Sequence, residues 1–184
     1  MKRNILWALL FITLGISTNS YADIPIPKIK PNYYYLTSEQ KKEVDCLAGV
    51  IYFEARGEPE QGQIAVGLTT INRTYSNHFP DSICKVIKEK QNGKCQYQWY
   101  CNSKQKRLFY DRNKQNDDIE YNDTLKLATY IFLNYEYIHD LTKNAVFFHR
   151  ISVNPRWKNV QHTTTIGKHV FYASRKPETN LKNI

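Results

Sequence analysis

The sequence predicts a mainly α-helical α+β domain with a small β region, on the basis of two patterns. Three long segments, 37–56, 60–73 and 123–137, repeat apolar residues every three or four positions, which is typical of helices with one buried face. Two short apolar stretches, 145–148 and 166–172, have the length of strands. At 184 residues the chain can hold one domain with a hydrophobic core but not two full ones.

The N-terminal segment has the features of a secretory signal peptide. A basic start is followed by an apolar run over 5–16 and by the small-x-small sequence Ser20-Tyr21-Ala22. The run is shorter than the ~20 residues that a transmembrane helix needs. We therefore interpret residues 1–22 as a signal peptide, which predicts export to the periplasm or cell envelope and no membrane span after cleavage. An uncleaved N-terminal anchor is the alternative.

The next segment leads into the domain. Residues 23–36 contain three prolines among Ile and Lys, a composition that predicts an extended arm, either a tether or a strap over the domain. The domain itself is placed at 37–173. Thr37 and Gln40 have the spacing of a capping box and predict the start of the first helix, which Gly57 ends.

Glu54 is the main candidate for chemistry in this helix. It falls near the helix C-terminus, where the negative end of the helix dipole and an apolar surrounding both disfavour a carboxylate. Both effects raise the pKa of a carboxyl group, and a carboxyl that stays protonated near neutral pH can act as a general acid. The alternative is a solvated Glu54, or one paired with Arg56, Lys41 or Lys42.

A second carboxylate, Glu58, lies just beyond the helix end. The second helix, 60–73, follows after a tight turn, so Glu54 and Glu58 are expected in the concavity between the two helices. For Glu58 we favour a structural role, because a carboxylate ahead of a helix can bind its free N–H groups. Residues 79–82 end the following loop and cap a short third helix.

Residues 92–120 form a long polar segment without helical periodicity, and we predict a functional loop there. Gln96, Tyr97, Trp99 and Tyr100 combine hydrogen-bonding groups with flat apolar faces, which suits contacts with sugar rings. For Trp99, packing beneath a disulfide is an equally weighted alternative.

The four cysteines predict two disulfides. In an oxidising compartment an even count favours pairing, with three possible connectivities. Cys95 and Cys101 bracket a hairpin-sized segment, so we favour Cys95–Cys101 and Cys46–Cys84. A zinc site is the rival interpretation, but the spacing contains no CxxC pair and no histidine lies close in sequence.

The C-terminal part of the sequence predicts one further helix and two strands. A helix over 123–137 is followed by a buried strand at 145–148, a turn at 154–157, a closing turn and strand at 166–172, and a polar tail at 174–184. His149 and His169 adjoin these strands. For both we favour a packed, hydrogen-bonded core residue over a role in orienting a sugar or Glu54, and no third ligand for a metal can be named.

The net charge of +9 favours an anionic partner such as a wall polymer, anionic lipid or nucleic acid. The alternative is that the charge only makes the protein surface basic and soluble. The sequence has no Gly-rich phosphate loop and no Ser-His-Asp signature. A secreted nuclease would need a His or metal–carboxylate cluster, which the sequence does not show, so we expect no nucleic-acid partner.

Several short stretches form a recognisable series in order along the chain. They are Cys46-Leu47-Ala48, Ile51–Glu58, Gly62–Val66, Ile71-Asn72-Arg73, Phe79–Ile87, Cys95-Gln96-Tyr97, Phe148-His149, Pro155-Arg156-Trp157 and Ile166–Tyr172. Together they resemble the SleB-type cell-wall hydrolases, the family that includes spore cortex-lytic enzymes. The chain departs from that pattern at Tyr97-Gln98 and Asn102-Ser103, where relatives tend to have Phe-Ser and Asp-Gly.

This resemblance implies a lysozyme-like (soluble lytic transglycosylase-like) fold and cleavage of the glycan strands of peptidoglycan, with Glu54 as the catalytic residue. It implies no cofactor and no metal, and we expect a monomer. The candidate sugar contacts are Gln96, Tyr97, Trp99, His149, Trp157 and Tyr172.

With one clear acid, a lytic transglycosylase acting at the MurNAc–GlcNAc bond is the economical interpretation. An ordinary glycosidase needs a second carboxyl group, for which Glu58 or a loop residue (Asp111, Asp117 or Asp118) would have to serve. The alternatives are an N-acetylmuramidase that hydrolyses the same bond, or a non-catalytic peptidoglycan-binding module.

Overall fold

The computed structural model describes residues 32–111 and 118–175. The predicted signal peptide, most of the arm, and all but the first two residues of the polar tail lie outside the described residues. The helices are α1 (Ser38–Ala55), α2 (Glu60–Tyr75), α3 (Ile83–Lys88), α4 (Gln98–Cys101), α5 (Ser103–Tyr110) and α6 (Ile119–Asn134), with 3-10 turns at Tyr33–Tyr35 and Tyr135–Tyr137. The strands are β1 (Lys90–Gln91), β2 (Lys94–Cys95), β3 (Phe147–Arg150), β4 (Val160–Ile166) and β5 (His169–Ser174).

Helix α1 is the centre of the core. The predicted capping box is present, since the Thr37 side chain accepts from the Gln40 backbone and the Gln40 side chain accepts from the Thr37 backbone. The helix is buried along most of its length and packs against α2, α3 and α6. A Cβ on Gly67 of α2 would lie 3.0 Å from Ile131 of α6 and 3.2 Å from Ile51 of α1, so a glycine lets these three helices approach closely.

A three-stranded antiparallel sheet, in the order β3-β5-β4, contacts α2 through β3 and β4. Gly167, with φ of +57°, turns the chain between β4 and β5. Phe147 pairs with Tyr172 and His149 with Val170, so the side chains of Phe147, His149 and Tyr172 share one face of the sheet. Phe148, His169 and Phe171 occupy the opposite face.

The arm is described only at its end. Tyr33 donates from its hydroxyl to Asp45 of α1 at 2.7 Å, and Leu36 is buried in the core. This part of the arm is therefore packed on the domain, as a strap would be. No helix among the residues that the structure describes is both long and apolar enough to cross a bilayer.

The prediction of a long loop over 92–120 is wrong where the structure describes it. The segment contains β2, α4, α5 and the start of α6. The Cys95–Cys101 disulfide does not bracket a hairpin, because the β1–β2 hairpin ends at Cys95 and α4 ends at Cys101. The last long helix begins at Ile119, earlier than the predicted 123, and β4 was not predicted. The mainly helical α+β class is confirmed.

Candidate active site

Glu54 lies in the last turn of α1 and is half-buried. Burial raises the pKa of its carboxyl group, while the positive charges of Arg73 and Arg150 act in the opposite direction. Among the residues that the structure describes, Glu54 makes no hydrogen bond and no ion pair. The catalytic role of Glu54 stays a prediction, and its burial and lack of a side-chain partner are compatible with it.

Two of the cations proposed as alternative partners of Glu54, Arg56 and Lys41, contact other groups. The Arg56 guanidinium lies over the Tyr52 ring, 4.7 Å from its centroid, and Lys41 donates from Nζ to the carbonyl of Tyr34 at 3.1 Å. Neither of these two cations is paired with the carboxyl of Glu54.

Arg73, in the last turn of α2, is a buried cation. It is 3% exposed, and its Nε donates to the carbonyl oxygen of Val146 at 2.7 Å. Its guanidinium lies over the rings of Tyr97 and Phe79, 5.1 and 5.2 Å from their centroids. With its side-chain oxygen turned to Arg73, Gln96 accepts from Nη2 at 3.0 Å. A buried cation is thus held by neutral groups.

Sequence reasoning missed Arg73 and Arg150 as site residues. Arg73 follows Val66 and Thr70 at helical spacing, and all three are buried, so an arginine on the buried face of a predicted helix was the available signal. No sequence pattern of this kind marks Arg150, because it is the last residue of β3 and is exposed.

Two predicted sugar contacts of the 92–120 segment are buried. Tyr97 is 2% exposed and its hydroxyl lies 2.9 Å from the Thr70 hydroxyl. Trp99 is 3% exposed and stacks on Phe53 of α1, with ring centroids 4.7 Å apart. The prediction that Tyr97 and Trp99 touch sugar is therefore wrong for this structure: both rings complete the core.

Glu58 makes a hydrogen bond within the fold, but with a different partner from the one expected. Its Oε2 accepts from the backbone N–H of Lys168 at 2.8 Å, across 110 positions of sequence. A Cβ on Gly167 would lie 2.3 Å from the same oxygen, so only glycine fits there. The expected bond from Glu58 to the N–H groups of α2 is absent, since that helix has no side-chain cap. The hydrogen bond of Glu58 instead links the β4–β5 turn to the segment just before α2.

His169 is packed as expected, with one difference. It is 1% exposed and its ring lies 5.5 Å from that of Phe148. Its Nδ1 has no hydrogen-bond partner in the described part of the chain. Burial lowers the pKa of His169, with the Glu58 charge opposing that shift, so the neutral ring is favoured.

His149, Trp157 and Tyr172 form an aromatic cluster on the outer face of the sheet. The His149 ring stacks on Tyr172 with centroids 5.4 Å apart, and Trp157 meets both rings edge-on at 5.4 and 5.8 Å. His149 Nδ1 donates to the carbonyl of Arg150 at 2.8 Å, which leaves Nε2 to accept from the Tyr172 hydroxyl at 3.2 Å. Trp157 is 42% exposed.

Both predicted disulfides are present, Cys46–Cys84 and Cys95–Cys101. Their sulfurs are therefore not available as zinc ligands. Within residues 32–111 and 118–175 no group of three His, Cys, Asp or Glu side chains is close enough to hold a metal ion.

Known proteins share both the sequence pattern and the fold. The family described as Cell Wall Hydrolase matches residues 57–172, a stretch that begins three positions after Glu54. The spore cortex-lytic enzymes of Oceanobacillus iheyensis and Bacillus subtilis are 43% identical over 49 residues and 45% identical over 47 residues. These alignments cover 27% and 26% of this chain, and 18% and 15% of the two relatives, so the chain matches less than a fifth of their length.

Two solved structures are similar over most of the fold. The catalytic domain of a germination-specific lytic transglycosylase, SleB, from Bacillus anthracis has a TM-score of 0.54 and 27% identity, covering 74% of this chain and 97% of that domain. The catalytic domain of the Bacillus cereus SleB protein has a TM-score of 0.53 and 26% identity, covering 76% and 94%. The predicted fold class is therefore confirmed by these neighbours, and the chain belongs to the cell wall hydrolase family.

Proposed function

We propose that this member of a peptidoglycan-cleaving family is an exported lytic transglycosylase, with Glu54 as its only acid and base. The observation that carries the proposal is the half-buried carboxyl of Glu54, which has a raised pKa and no partner among the described residues. A carboxyl group whose pKa is raised and that is free to reach a ligand is suited to general acid catalysis.

The contacts of the other candidate carboxyl groups support a single-residue mechanism. Glu58 is occupied by the Lys168 N–H in the β4–β5 turn. Asp118 accepts from the Tyr52 hydroxyl and from the backbone N–H of Tyr121, where it caps α6. Asp117 lies outside the described residues. Ordinary glycoside hydrolysis uses two carboxyl groups across the scissile bond.

The proposed reaction uses Glu54 twice. The protonated carboxyl first gives its proton to the glycosidic oxygen between N-acetylmuramic acid and N-acetylglucosamine, and the bond from C1 of muramic acid to that oxygen breaks. The carboxylate then takes the proton of the muramic acid C6 hydroxyl, whose oxygen bonds to C1. Glu54 is protonated again at the end, and the product is a 1,6-anhydro ring. No water, metal or cofactor is consumed.

Similarity to known proteins supports the proposed type of reaction, and the sequence supports the proposed export and the anionic substrate. The name of the Bacillus anthracis neighbour contains the words lytic transglycosylase, which favours this chemistry over hydrolysis. Export to the periplasm or envelope stays a prediction from residues 1–22, and a monomer is the expected state. The positive charge of the chain suits an anionic wall polymer.

The products of the reaction test the proposal. Purified mature protein should clear a turbid peptidoglycan suspension, and mass spectrometry should find muropeptides that end in 1,6-anhydro-N-acetylmuramic acid. Their mass is lower by one water than that of products with a reducing end. Reducing ends alone would mean a muramidase, and binding without any release of fragments would mean a non-catalytic module.

In addition to Glu54, we propose a sugar-binding surface formed by the aromatic cluster of His149, Trp157 and Tyr172. Exposed aromatic rings can stack on the apolar face of a sugar, and we assign such a contact about 0.5–1.5 kcal/mol, the amount that an aromatic pair contributes. We expect Trp157→Ala to weaken binding to insoluble peptidoglycan about 3- to 10-fold, with most of the thermal stability retained because Trp157 is 42% exposed and lies outside the core.

A matched control is Tyr137→Ala, which removes an aromatic ring that is 85% exposed and lies outside this cluster. Sedimentation with peptidoglycan measures both variants against the parent protein. Equal losses in the two variants, or no loss in Trp157→Ala, would remove the cluster from the binding surface.

A further inference from the structure

A second concavity of the protein lies away from Glu54. It is a cavity of about 380 Å³ between the first half of α1, helix α3 and the end of α5. Cys46 is the last of its lining residues on α1. It precedes Glu54 by eight positions of the same helix, which correspond to roughly 12 Å along the axis. The cavity is therefore separate from the proposed catalytic acid.

The rim of this cavity is positively charged. Of the described residues that line it, three are lysines, Lys41, Lys42 and Lys88, and one, Asp45, is acidic. Asp45 is 6% exposed and accepts from the Tyr33 hydroxyl at 2.7 Å, so the charges at the surface of the cavity are those of the lysines. Lys42 and Lys88 are exposed, and in the described part of the chain neither forms an ion pair. Positive charges gathered around one concavity raise the local concentration of anions.

The walls of the cavity are apolar and aromatic. The rings of Tyr33, Phe109 and Tyr110 line it together with the buried Cys46–Cys84 disulfide. Tyr110 is 56% exposed, so its ring is accessible at the edge of the cavity. A small inorganic anion would contact only the lysines, whereas these walls can also bury part of an aliphatic chain. The cavity thus combines an anion-binding rim with a surface for an apolar group.

We infer that this cavity is a second binding site, for the acidic stem peptides that peptidoglycan carries on its glycan strands. A stem peptide has carboxylates on short aliphatic side chains, which matches lysines set around an apolar wall. Lys42 and Lys88 bind a carboxylate at the rim, and the rings of Phe109 and Tyr110 contact the aliphatic part. The inference rests on the proposed function for the identity of the polymer, and it adds which part of that polymer the cavity binds.

Binding at this site keeps the protein on its polymer. Each stem peptide belongs to the same polymer as the bonds that Glu54 is proposed to cleave. A protein held by one peptide therefore meets the neighbouring glycan at a raised effective concentration. Because the cavity shares no residue with the proposed sugar-binding surface of His149, Trp157 and Tyr172, both can be occupied at once.

Binding of the free peptide tests the inference without any cleavage step. Stem tetrapeptide released from peptidoglycan by an amidase is titrated into isotope-labelled, folded mature protein, and the amide chemical shifts report the site and the Kd. Lys42→Gln/Lys88→Gln removes two exposed charges from the rim, and Tyr110→Ala removes one aromatic wall. The matched control, Lys94→Gln/Lys126→Gln, removes two exposed lysines that do not line the cavity.

We expect the peptide to shift the amide signals of residues that line the cavity. The Kd should rise about 3- to 10-fold in Lys42→Gln/Lys88→Gln, since each exposed charge contact contributes modestly. Tyr110→Ala should raise the Kd by a similar factor, because it removes apolar contact. The control should bind as the parent protein does, and inorganic phosphate should bind more weakly than the peptide.

An unchanged Kd in folded Lys42→Gln/Lys88→Gln or in Tyr110→Ala, an equal loss in the control, or shifts confined to other surfaces would overturn the inference. Inorganic phosphate that gives the same shifts and the same Kd would also overturn it, because the cavity would then bind any anion. Peptide binding at the cavity of a protein that releases no muropeptides would uphold this site and contradict the proposed function. The two failures are therefore distinguishable.

Discussion

Glu54→Gln is expected to lose nearly all activity while the fold stays as stable or becomes more stable. Glutamine keeps the shape of the side chain but cannot donate and then accept a proton, and general acid–base catalysis contributes about 10²- to 10⁴-fold in rate. Because burial raises the pKa of Glu54 in the folded state, its carboxylate form opposes folding at any pH above its unfolded pKa. A neutral amide removes that opposition. Clearing of a peptidoglycan suspension and the thermal midpoint near neutral pH are the measurements.

The control is Glu58→Gln, which changes the other carboxylate on the same turn. Its amide oxygen can still accept from the Lys168 N–H, so we expect activity to be largely retained and a small loss of stability from the weaker hydrogen bond. Full activity in Glu54→Gln together with loss in Glu58→Gln would transfer the catalytic role to Glu58.

Removal of the Cys46–Cys84 disulfide is expected to produce the largest loss of stability. The bridge ties α1 to α3 across 38 positions of sequence, and both cysteines are buried. Closing a loop of that length restricts the unfolded chain by about 4 kcal/mol in the chain-entropy description. The double variant Cys46→Ala/Cys84→Ala should lose about 2–5 kcal/mol in the free energy of unfolding, measured in urea.

The second disulfide provides a matched comparison. Cys95 and Cys101 are separated by 6 positions, and a loop that short predicts about 2 kcal/mol on the same basis. We expect Cys95→Ala/Cys101→Ala to be the milder of the two double variants. An equal or larger loss in that variant would show that loop length does not govern the contribution of these bridges.

Local signals in the sequence predicted much of the helical fold. The capping box of Thr37 and Gln40 begins α1, and Ser82 caps α3 by accepting from the Lys85 N–H, as the sequence indicated. Both features depend on residues within four positions of each other, and such short-range patterns can be identified without the fold.

The helix α5 could not be predicted from periodicity, because it has almost no buried face. Phe109 is its single buried residue, and Asn102 begins the helix by accepting from the N–H groups of Lys104 and Gln105. Helix α5 contributes the ring of Phe109 to the core. The ring packs so closely on Gly49 of α1 that a Cβ at that position would lie only 2.6 Å from the nearest ring atom. That contact is between distant parts of the chain.

In the candidate site, too, short-range features could be predicted from the sequence and contacts between distant residues could not. Glu54 was predicted from the end of a helix, an apolar surrounding and the resemblance to a family, all of which depend on short stretches of sequence, and its catalytic role stays a prediction. The contact of Glu58 with Lys168 was not predicted, because it joins residues 110 positions apart. Tyr97 and Trp99 look like sugar-binding residues in composition, and only their packing beneath α1 and α2 shows them to be buried.

The most direct test of a single-residue mechanism is digestion of peptidoglycan in water enriched in oxygen-18. If the C6 hydroxyl attacks C1, fragments released by the parent protein carry 1,6-anhydro ends without the heavy isotope, and Glu54→Gln releases essentially none. Heavy oxygen at C1 of the newly formed ends would show that water is the nucleophile, and release of the same fragments by Glu54→Gln would show that Glu54 is not the acid.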